Sequence, residues 1–181
     1  MKSGPCCCQA MTGAESIHRC LQQLADPAIA AHSQRYFRTG PGEYGEGDLF
    51  LGIRVPVLRS LVPRLKHLAL TEIFAILSSP WHEQRLLALL LLVHRYCRTD
   101  ADALDAQEAI FQGYLDHSQW INNWDLVDCS ASHIIGAHLT KRPRQQLVEL
   151  AQSKLLWQRR MAIIATHHFI RRDDFSDCLV V

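Results

Sequence analysis

Trp124 and Asp128 stand one helical turn apart in the stretch Asn122-Asn123-Trp124-Asp125-Leu126-Val127-Asp128, and on a helix such an i, i+4 pair shares one face. An aromatic ring beside a carboxylate attracts a cation, through the ring quadrupole and through direct Coulomb attraction. Trp157 and Arg160 make a second pair, at i, i+3. If the two pairs converge, two indoles and a carboxylate meet an arginine, a set suited to a ligand that is a polyanion overall but carries a local positive charge. The plainer reading of a lone Trp-x-x-x-Asp is a helix-capping region with an ordinary polar residue at its rim. The rest of the chain favours the first.

Helices must hold these residues. Asn122 or Asn123 can cap a helix start, and Asp125 in the first turn suits the helix dipole. Val127, Ala131, Ile134, Ile135 and His138 continue a core-facing stripe as far as Leu139. One helix is therefore expected over 122–139, with Asp128 at the edge of the stripe. Upstream, 14–25 and 27–38 read as two short helices split at Asp26-Pro27, where Asp caps and Pro suits the first helical position. Thr39 to Asp48, with four glycines and a proline, is a loop. Val55-Pro56 opens a helix towards Leu65, Thr71 caps a short one ending at Leu77, and His82 to Tyr96 is so apolar around its circumference that it must be buried. Helices over 101–115, 144–151 and 157–171 complete the chain. No segment alternates with period two, so the fold class is all-α.

Charge divides the chain more sharply than its net +1 suggests. Residues 100–128 hold seven acids and no Lys or Arg, whereas 141–172 hold eight bases against Glu149 alone. A polyanion is steered to the second region and repelled by the first. The 48% hydrophobic content suits one substantial core, taken as a single domain over 14–177 between a disordered leader, 1–13, and a tail, 178–181. The longest apolar run, Leu86 to Val93, is too short to span a bilayer. The seven cysteines, three of them Cys6-Cys7-Cys8, show no spacing that would build a disulfide frame or a zinc site. Reduced thiols and a cytoplasmic location are expected, with no metal and no cofactor. A metal hydrolase using His94, His167 and His168 is the weak alternative, since these sit on apolar helices.

A faint repeat links Trp81 to Leu89 with Trp157 to Ile163: a Trp near the helix start, then Arg, with Ala three residues after Arg85 or Arg159. Helix pairs with one very apolar inner member are what a stacked α-α superhelix needs.

Gly42 to Asp48 with Phe50 to Pro56, then His82 to Leu89, Asn122 to Asp128, and Trp157 to Ile163 together resemble the AlkD-like DNA alkylation repair family, over about 14–177. The resemblance implies a HEAT-like repeat solenoid and a monofunctional DNA glycosylase. Its expected partner is double-stranded DNA carrying positively charged N3- or N7-alkylpurines, with no membrane. It further implies Asp128 as the catalytic carboxylate, Trp124 as a lesion-side aromatic, and Arg160 as the phosphate-binding arginine with Arg159 as the fallback. Tyr36 resembles an aromatic of the DNA-facing cleft, and Trp157 joins the same surface. Members of the family continue beyond Arg171, so a C-terminally truncated chain is expected, its last helix exposing Ile163, Ile164 and Phe169. The competing reading is a non-catalytic repeat module that binds DNA or protein through the same face.

Overall fold

The computed structural model describes residues 13–99 and 103–181. Most of the leader, the cysteine triplet and the start of the helix expected at 101 lie outside them. Nine α-helices and several short 3-10 or π turns make up the described chain, which is all-α with a helical-repeat character. No strand forms among the described residues; a lone bridge joins Leu49 to Trp81. No helix there is long and apolar enough to cross a membrane. Two compact units divide the chain, 1–91 and 92–181, with the boundary inside one helix.

The first unit holds α1 (Ala14–Gln22), α2 (Pro27–Tyr36), α3 (Val55–Leu65), α4 (Leu70–Leu77) and the start of α5 (His82–Arg98). Asp26 caps α2 as its sequence predicts, one carboxylate oxygen accepting from the Ala28 and Ile29 amides at 2.9 and 3.2 Å. Thr71, by contrast, does not cap α4. That helix starts one residue earlier, at Leu70, and Glu72 turns back to accept from the Ala69 amide at 2.7 Å and from Gly13 at 2.9 Å.

The apolar circumference of α5 is buried, with Leu86 to Leu89, Leu91 and Leu92 each at 4% exposure or less. Its first turn buries polar groups as well. Glu83 accepts from the amides of Leu51, Gly52 and Ile53 at 2.9, 2.7 and 3.2 Å. Gly52 has φ +80°, and a Cβ there would meet the Asp26 carbonyl at 2.1 Å, so only glycine lets this segment lie against the start of α2. Arg85 pairs with Asp48 at 2.7 Å, both buried, which pins the end of the glycine-rich loop.

The second unit continues with α6 (Leu104–Asp116), α7 (Trp124–Asp128), α8 (Gln145–Ala151) and α9 (Leu156–Ile170). The helix expected over 122–139 is interrupted: α7 ends at Asp128, a π turn occupies Ser132–Gly136, and a 3-10 turn follows at Leu139–Lys141. Ser130 explains the break. Its hydroxyl donates back to the Leu126 carbonyl at 2.5 Å and receives Tyr114 Oη at 2.8 Å, and such back-bonding bends helices. The stripe survives, since Val127, Ala131, Ile134, Ile135 and His138 are all buried. Gly136 admits α9: a Cβ there would lie 2.4 Å from the Ala165 carbonyl and 2.5 Å from His168 Cβ. The expected exposure of α9 holds for Ile163, at 42%, but not for Phe169, at 1%. The Arg144 guanidinium lies 3.8 Å over the Phe169 ring and bonds Asp174 at 2.7 Å and Asp177 as well.

Candidate functional site

Asn123 opens α7, its side-chain oxygen accepting from the Trp124 amide at 2.9 Å. That cap places Trp124 at the head of a five-residue helix and Asp128 at its tail, the one-turn spacing required for a shared face. The start of α9 is fixed by a separate set of bonds. Ser153 Oγ accepts from the Leu155 amide at 3.0 Å and donates to Gln158 at 2.6 Å, and Gln158 in turn reaches Ser118 at 3.0 Å. Trp157 and Arg160 are carried on the turn so held.

The two helices meet through a fork. Arg160 Nε donates to Asp128 Oδ1 at 2.8 Å and Nη2 to Oδ2 at 2.7 Å, across 32 residues of sequence. The side chains remain 38% and 34% exposed, so both the acid and the base can be reached by a ligand. Hydrogen bonding to Asp128 holds the Arg160 guanidinium above its ordinary ionisation range, against the opposing effect of burial. In this half-exposed setting the pair contributes about 0.5–1 kcal/mol. Trp124 and Trp157 are half-buried.

The other two candidates are engaged differently. Arg159, one residue before Arg160, is exposed and turns back to donate to the Ser153 carbonyl at 2.9 Å. The register shared with Arg85 therefore carries no shared role, because Arg85 is buried against Asp48. Tyr36 ends α2 in the first unit, 59% exposed and stacked on His32 at 6.4 Å between ring centroids. Among the described residues, no group of three His, Cys, Asp or Glu side chains is placed to hold a metal ion.

What the arrangement can do is limited by what it contains. A carboxylate at the end of a short helix can stabilise a developing cation or take a proton from water. A guanidinium fork can exchange a carboxylate for a phosphate, since both offer two oxygens at matching spacing. Indoles can stack on a planar, electron-poor ring. All of these side chains are legible in the sequence, but the bond between Asp128 and Arg160 is not; its only local signal is an acid and a base each one turn from a Trp.

A family model described as DNA alkylation repair enzyme matches residues 17–181. No curated protein and no solved structure matches the chain.

Proposed function

The chain belongs to the family of DNA alkylation repair enzymes, and from that premise we propose that it is a monofunctional DNA glycosylase acting on N3- and N7-alkylpurines in duplex DNA. The observation that carries the reading is the half-exposed Asp128 carboxylate, gripped at both oxygens by Arg160 on helices that also present Trp124 and Trp157. Alkylation puts a formal positive charge on the purine. The indoles receive that cationic ring and the bases of 141–172 attract its strand. Arg160 transfers its fork from Asp128 to a backbone phosphate beside the lesion. The carboxylate is thereby released towards the sugar.

The bond from C1′ to the purine nitrogen then breaks, and its electron pair leaves with the base and cancels the positive charge. Asp128 stabilises the oxocarbenium left on the sugar and takes a proton from the attacking water, whose oxygen bonds to C1′. The products are free alkylpurine and an abasic site. Side chains and water suffice for these steps.

One observation favours the non-catalytic module instead: a bidentate pair between α7 and α9 is also what a purely structural tie would look like. Incubation with DNA containing N7-methylguanine decides. Release of free base by the unmodified chain, lost in Asp128→Asn with duplex affinity retained, supports the glycosylase; no release from the unmodified chain leaves the binding module.

A further inference from the structure

The C-terminal ends of α5 and α9 and the π turn at Ser132–Gly136 enclose an open depression of about 540 Å³, bordered by Cys97, His133, Ala137, His168, Arg171 and Arg172. It is separate from Asp128. Arg171 lies eleven positions beyond Arg160 along α9, about 17 Å at the rise of a helix. A second depression of about 590 Å³ shares Cys97, Ala137, His168 and Arg172 with it and adds Lys141 and Arg142. Neither border includes an acid.

Two features show that this gathering of bases is built. The π turn is a poorer hydrogen-bonding arrangement than the α-helix it replaces, and such turns recur at functional sites. Here the turn includes His133, while Gly136 in the same turn lets α9 approach so closely that a Cβ would strike the His168 side chain. The close approach is what puts the two imidazoles on one depression. The second feature is that basic side chains gather on a lining that includes no acid. Burial, then the charges of Arg171 at His133 and of Arg172 at His168, drive both imidazoles below their ordinary ionisation range. Arg172 uses one terminal nitrogen on the His168 carbonyl at 2.6 Å, and its remaining donors are available to a ligand.

We infer that this depression is a second anion site, one that takes a tetrahedral phosphate group between the guanidinium groups of Arg171 and Arg172 and the imidazoles of His133 and His168. The two guanidinium groups supply most of the donors; His168, whose ring already donates to the Ser132 carbonyl, adds one from its second nitrogen only on taking up a proton. The ligand is either an internal phosphate of a DNA strand or a free or terminal phosphate, and the chemistry of the pocket is the same for both.

Inorganic phosphate titrated into the full chain at constant ionic strength tests this, read from the imidazole resonances of His133 and His168, assigned with His133→Asn and His168→Asn. The expected result is saturable movement of both signals, reproduced by sulfate and not by chloride. Affinity should fall on the order of tenfold or more in Arg171→Gln/Arg172→Gln, the scale of hydrogen bonds to a charged group. Arg171→Gln alone serves if the double variant does not fold. Movement that chloride reproduces, no saturable movement, or unchanged affinity in the variants overturns the site. Displacement of phosphate by a duplex with hydroxyl ends identifies a strand phosphate as its ligand; displacement by a nucleoside monophosphate alone identifies a free or terminal one. Because the titration does not involve Asp128, its failure leaves the glycosylase reading standing, and failure of base release leaves this site standing.

Discussion

Arg160 is asked to serve two partners in turn, and that makes it the sharpest residue-scale test. In the free chain it grips Asp128 at 2.8 and 2.7 Å; in the proposed complex it grips a phosphate. Arg160→Ala should weaken duplex binding and reduce the salt dependence of log K by about one unit for the phosphate it no longer neutralises. Measured binding isotherms between low and moderate salt give the slope, and an unchanged slope would mean that Arg160 never leaves Asp128. Arg159→Ala is the control, because that guanidinium is turned towards the Ser153 carbonyl; its slope should stay close to that of the unmodified chain. Asp128→Asn removes one side of the fork and should lower the unfolding free energy by no more than about 1 kcal/mol, so a loss of base release in that variant reports chemistry, not folding.

At the scale of elements, two close approaches decide whether helices can sit where they do. Glu83 satisfies the amides of Leu51, Gly52 and Ile53 from inside the core. Glu83→Gln substitutes an amide nitrogen for one acceptor oxygen and leaves buried N–H groups facing a donor, a loss of about 1–3 kcal/mol in denaturant unfolding. Gly136 lets α9 lie on the π turn, so Gly136→Ala forces a methyl group into the Ala165 carbonyl and His168 Cβ. Overpacking of this kind costs about 1–3 kcal/mol or more. It should also separate His133 from His168, and so weaken phosphate binding while sparing the Asn123 cap of α7. Thermal unfolding beside a phosphate titration checks both. The elements themselves were largely readable: Asp26-Pro27 and Val55-Pro56 mark helix starts by local chemistry, and α5 announces its burial by composition. Where α4 begins and α7 ends was harder to read: Glu72 and Ser130 act through local bonds to Ala69 and Leu126, but each is also held by a distant partner, Gly13 or Tyr114, that no local window contains.

For the molecule as a whole, acid should be more harmful than its near-neutral net charge implies. Burial lowers the ionisation of His133, His138 and His168, with the nearby guanidinium groups adding to it. An imidazole lowered in the folded state binds fewer protons there than in the unfolded chain. Its contribution is therefore complete above about pH 6.5, the ordinary imidazole value, and is lost as pH falls below it. Arg144 holds the Asp174 carboxyl down at about 2, which extends the loss below about pH 4, the ordinary carboxylate value. Melting temperatures should fall as pH drops below about 6.5, less steeply in a His133→Asn/His168→Asn variant; a flat profile would contradict the assigned environments. Helicity, the apolar faces, most helix starts, and an acid and an arginine each near a Trp are written in the order of residues alone. Periodicity and capping act within one or two turns, so they are written locally. Packing alone bonds Asp128 to Arg160, covers Phe169 with Arg144, and brings two histidines and two arginines to one depression. Those outcomes depend on how α7, the π turn and α9 pack across some thirty residues, where a glycine that admits a close approach or a serine that bends a helix outweighs any local pattern.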